Sequence, residues 1–96
     1  MSRLPDLPCT RHARSRMQQR GIPAALVDRV LRYGREVHDH HGATVYLIDR
    51  RAGGRIARAG EARGAEIDRL RGVYVVVATD GTIRTVGHRT RRLRRH

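Results

Sequence analysis

The stretch from His12 to Ile22 holds the residue types and spacing most suited to chemistry. His12, Arg16 and Arg20 stand at i, i+4 and i+8, so a helix there carries them on one strip. An imidazole moves protons near neutral pH, and guanidinium groups hold phosphate through paired donors. The chemistry such a strip offers is proton transfer beside a bound phosphate. The competing reading is a solvated basic helix on which the histidine is a bystander.

The elements that must position the strip are legible in outline. Pro5 and Pro8 oppose a helix, so residues 1–9 read as an extended arm. Thr10 is the expected cap of a first helix over 11–20, with Ala13 and Met17 turned to the core. Gly21 ends that helix in the left-handed conformation, and Pro23 opens a second over 23–33. There Leu26, Val27, Val30 and Leu31 make an apolar stripe, and Gly34 closes the helix.

From residue 35 the period becomes two. Residues 36–38 and 43–48 read as strands around a turn at 39–42. Val45 and Leu47 share one face of the second strand, Tyr46 and Ile48 the other, and we expect the first pair to be buried. Residues 49–66 carry Gly53, Gly54, Gly60 and Gly64 among arginines and alanines, and read as a mobile basic loop. Val73–Ala78 is apolar on both faces and is expected in the sheet interior. Asp80-Gly81 is a hairpin turn, returning as a strand over 82–86. The end of the chain, 90–96, reads as a frayed basic tail. Helices first and strands after give a single α+β domain over 1–96, with an N-terminal helical hairpin packed on an antiparallel sheet of about four strands.

Composition bounds the partners. The chain has 96 residues, a formal net charge of +12, no Phe and no Trp. All 21 of its Lys and Arg residues are Arg, which points to a polyanion partner. One cysteine, Cys9, excludes an intrachain disulfide and a cysteine-based zinc site. His38, His40 and His41 are spaced poorly for a chelate, so no metal site and no cofactor is expected. No apolar run reaches membrane-helix length, and no signal-peptide core follows Met1. The expectation is therefore a cytoplasmic protein with no membrane partner.

The runs "HARSRMQQRGI", "YLID" and "GVYVVVATDGTIRTVGHRTRR" resemble the domain-of-unknown-function family 4258, a relative of the RelE/ParE-like toxins in the barnase–EndoU–colicin–RelE fold group. The resemblance covers residues 11–48 and 72–92. It implies a helical hairpin on a curved antiparallel sheet. By analogy it implies a toxin-type, metal-independent endoribonuclease in which the 2′-hydroxyl of RNA attacks the adjacent phosphorus. The ParE-like branch acts on DNA gyrase instead.

Set against that chemistry, His12 and His88 are the candidate acid and base. Arg16, Arg20 and Arg89 are the candidate phosphate holders. Thr85, Arg84, Arg91 and Arg92 are candidate nucleic-acid contacts. The partners expected are RNA, on or off the ribosome, and an acidic antitoxin protein. The alternative is a non-catalytic basic module that binds RNA, DNA or the ribosome. The decisive geometry is whether His12 and His88 face one another.

Overall fold

The computed structural model describes residues 8–39 and 41–89. The arm before Pro8, His40 and the 90–96 tail with Arg91 and Arg92 lie outside the described residues. Among those described, the order is α1 (Arg11–Gln19), α2 (Ala24–Tyr33), β1 (Arg35–His38), β2 (Thr44–Leu47), α3 (Arg50–Arg58), α4 (Ala65–Arg71), β3 (Val73–Val77) and β4 (Ile83–His88). The sheet runs β1-β2-β3-β4, antiparallel throughout. The α+β class is as expected, and β3 is an interior strand.

Local chemistry sets the helix ends. The Thr10 hydroxyl accepts the Ala13 N–H at 3.0 Å, capping α1, and Gly21 takes φ of 63° after it. Gly34 closes α2, as expected. Its backbone is extended rather than left-handed, and a Cβ there would collide with the Val30 carbonyl. Glycine serves that position through close approach, not through positive φ.

The segment 49–66 is not a mobile basic loop. Asp49 caps α3 by accepting the Ala52 N–H at 2.9 Å. Ala52, Gly53 and Ile56 are buried along its inner face. Two glycines lower helix propensity, which is why the sequence reads as loop. Packing overrides them: a Cβ on Gly53 would stand 3.3 Å from the Ile67 side chain on α4. The small residue lets α3 and α4 approach.

Helices cover one face of the sheet. Val73, Val75 and Val77 of β3 point to them and are buried with Val27, Val30, Ile48, Ile56, Leu70 and Val86. Each such side chain contributes about 1.5–3 kcal/mol by leaving water. The register pairs Tyr46 with Val75 and Thr44 with Val77, so Thr44 and Tyr46 are the helix-facing residues of β2, and Ile48, next in that alternation just past the strand, is fully buried. Val45 and Leu47 lie on the other face and are only half-buried, as are Met17 and Leu31 in the helices. Both faces of β2 are apolar, so alternation revealed two faces without saying which one the helices cover.

Candidate nucleic-acid interface

The uncovered face of the sheet is built by register. Antiparallel partners point the same way. One row therefore runs Arg35, Leu47, Tyr74, Gly87 across all four strands. The next runs Val37, Val45, Val76, Thr85. No helix among the described residues lies across these rows. Val37 is 41% exposed, and Val45, Leu47, Tyr74, Val76 and Thr85 are half-buried.

Helix α1 bounds this face. The chain enters it beside β4: the Thr10 N–H donates to the Ile83 carbonyl at 3.1 Å, and the Ile83 N–H donates to the Pro8 carbonyl at 2.7 Å. From there α1 runs along β4 in the same direction. At its far end the Arg20 guanidinium reaches over Gly87: a Cβ on Gly87 would lie 2.9 Å from Arg20 Nη1 and 2.8 Å from Tyr74 Oη. Arg20 thus completes the first row, with an arginine at each end and a tyrosine in the middle. Neither Arg16 nor Arg20 has an ion-pair partner among the described residues.

The two candidate histidines are not brought together. His12 is exposed near the start of α1, level with Ile83 and Arg84. His88 ends β4 and lines a cavity of about 160 Å³ with Gly21, Ile22, Leu26 and Asp68. At ~1.5 Å per helical residue, the part of α1 from His12 to its end at Gln19 is about 10 Å long, and His88 lies beyond that end beside Gly21 and Ile22. They also differ in face. His88 pairs with Val73 on the helix side, whereas Arg20 reaches the opposite side of β4.

Arg89 has a local task. Its guanidinium donates to the Arg71 carbonyl at 3.0 Å and its backbone N–H to the Gly72 carbonyl at 2.8 Å. It ties the end of β4 to the end of α4. Arg84 is exposed at an irregularity in the β3–β4 ladder, where a bulge turns a side chain away from regular alternation. Of the expected set, then, Arg20 and Thr85 share the open face, Arg16 and His12 lie on the helix bordering it, and His88 and Arg89 are placed away from it. His38 sits beside the Thr44 hydroxyl, with its Nδ1 3.2 Å away.

Tyr74 and Arg35 lie on this face outside the set that spacing in the sequence singles out. The sequence signal for Tyr74 was available: it is the one aromatic in the central apolar strand. Its face follows only from the pairing with Leu47 and Gly87.

An α+β domain with one helix-covered face and one open, arginine-flanked sheet face is the class of protein these features define. The family model described as a domain of unknown function (DUF4258) matches residues 9–86. The chain belongs to that family. No curated protein and no solved structure matches it. No helix among the described residues is long and apolar enough to cross a membrane.

Proposed function

We infer that this domain binds single-stranded RNA across the open face of its sheet, as a non-catalytic module. The observation carrying this reading is the row Arg35–Leu47–Tyr74–Gly87, which ends beneath Arg20. A tyrosine on a strand offers a surface on which a base stacks, and flanking guanidinium groups take the phosphates on either side. The half-buried Leu47, Val45 and Val76 supply apolar area beneath the bases. Thr85 on the same face is a hydrogen-bonding partner for a 2′-hydroxyl, the group that separates RNA from DNA. The net charge of +12 supports association with a polyanion in general. An acidic partner protein of the antitoxin kind would compete for the same arginines.

The endoribonuclease reading has less support. It needs an acid and a base within reach of one phosphodiester, and His12 and His88 lie about a helix length apart.

The test is fluorescence anisotropy of the full chain with single-stranded RNA, single-stranded DNA and duplex RNA of one sequence. Gel analysis of the bound RNA accompanies it. Wild type should prefer single-stranded RNA and leave it intact. Tyr74→Ala should weaken binding by about tenfold or more, since stacking contributes ~1–3 kcal/mol per base. Undiminished binding by Tyr74→Ala would remove the platform. Cleavage in the presence of a chelator, abolished by His12→Ala, would put the ribonuclease in its place.

A further inference from the structure

Three arginines line a cleft between the start of β1 and the start of α3: Arg35, which also begins the first row of the open face, and Arg51 and Arg55 on α3. Its volume is about 550 Å³, and its walls are Gly34, Arg35, Asp49, Arg51, Ala52 and Arg55. We propose that this cleft holds the terminal phosphate of the nucleic-acid strand lying on the sheet. The proposal rests on the open-face reading for its ligand, while the cleft's chemistry stands separately.

The charges in the cleft are poorly compensated by the protein itself. Arg51 has no hydrogen-bond or ion-pair partner among the described residues. Arg55 donates once, to the Tyr33 carbonyl at 2.6 Å, leaving most of its five donors unused. Arg35 is 3.9 Å from the Asp49 carboxylate, too long for a hydrogen bond. Asp49 is the cleft's one acid, and its other oxygen is taken by the Ala52 N–H.

The placement also runs against the helix. α3 begins Arg50-Arg51 and has no acid in its first turn. A helix N-terminus carries partial positive charge and favours anions. Two arginines there are the wrong sign for the helix alone, and an anion seated among them reverses the penalty.

The lining says what kind of anion fits. It contains no aromatic residue, so it offers nothing for a base to stack on. Guanidinium groups from three positions suit a phosphomonoester, which presents three unshared oxygens to its surroundings, better than a phosphodiester, which presents two. Arg35 also begins the row that leads over Leu47 to Tyr74. Arg35, common to the cleft and to that row, is the point at which a strand passes from one to the other.

The experiment compares one short single-stranded RNA carrying a 5′-phosphate, a 3′-phosphate or hydroxyl ends, by anisotropy with the full chain. One phosphorylated form should bind about tenfold tighter than the hydroxyl form, as expected for charge-assisted hydrogen bonds. Which form it is assigns the strand's direction. Arg51→Ala should remove that preference and leave hydroxyl-ended binding unchanged. Tyr74→Ala should weaken all three forms equally. Equal binding of the three forms by wild type, or a preference that survives in Arg51→Ala, would overturn the cleft. If wild type binds no RNA, the open-face reading fails, and inorganic phosphate is titrated while arginine side-chain resonances are followed by NMR. Shifts at Arg35, Arg51 and Arg55 that are absent in Arg51→Ala then uphold the cleft as a phosphate site, and no shifts overturn it.

Discussion

Arg20 and Tyr74 meet over a residue that has no side chain. The spot a Cβ would take on Gly87 lies 2.9 Å from Arg20 Nη1 and 2.8 Å from Tyr74 Oη. Glycine is required there by close approach and not by backbone conformation, because Gly87 is absent from the glycines with positive φ. Gly87→Ala should therefore push the two groups apart. Overpacking of this kind costs about 1–3 kcal/mol, read as a lowered denaturation midpoint. Affinity for single-stranded RNA should fall with it. An unchanged affinity would mean that the placement of Arg20 beside Tyr74 is immaterial to binding.

Arg20 on the border of the open face should carry one phosphate contact. For single strands each phosphate neutralised by the protein contributes about 0.7 to the slope of log K against log salt, because it releases counterions. Arg20→Ala should lower the slope of log K against log salt by about that amount. Arg89→Ala should leave the slope unchanged, since its guanidinium is held by the Arg71 carbonyl. Equal effects from both would mean that binding tracks net charge alone.

His12 and His88 should act independently. Sites separated by more than about 7–10 Å with no shared partner add within ~0.5 kcal/mol, and about 10 Å of α1 separates His12 from the helix end beyond which His88 lies. A double-mutant cycle with His12→Ala and His88→Ala, read in RNA affinity, should show no coupling. Coupling well above that threshold would place both rings at one site.

The segment around α3 should contribute to stability. Asp49→Ala removes the cap on the Ala52 N–H and should cost about 1 kcal/mol. Ile56 is fully buried, so Ile56→Ala should cost about 2–5 kcal/mol. Urea denaturation measures both. A mobile loop over 49–66 would make both changes silent.

Asp80 should titrate below the ordinary carboxylate range. The Thr82 N–H donates to its carboxylate at 2.9 Å, and that bond, with one from the Thr82 side chain, lowers its pKa from the ordinary 3.8. A depressed folded pKa means the contribution is fully present above 3.8 and is lost as pH falls through the lower folded value. An NMR titration of the Asp80 carboxyl should show a midpoint below 3.8. Asp80→Asn keeps a side-chain acceptor and should remove this part of the acid sensitivity.

Much of this protein was legible in its sequence because local chemistry decides it. Thr10 caps α1, Gly21 and Gly81 take positive φ, and the shift to period two near residue 35 marks the change from helices to sheet. The strip carrying Arg16 and Arg20 follows from helical spacing alone. Three things depended on tertiary structure. Gly53 sits in a helix because Ile67 lies close against it, a contact between segments that propensity does not contain. Tyr46 and Ile48, rather than Val45 and Leu47, face the helices because β2 pairs with β3 in one register, and a one-residue slip would have reversed them. The site depended on it most. Spacing put His12 and Arg20 on one helix strip, but the direction of α1 along β4 separates His12 from His88. The same register that sets His88 against Val73 turns Gly87 toward Tyr74, and so decides which arginine the open face receives.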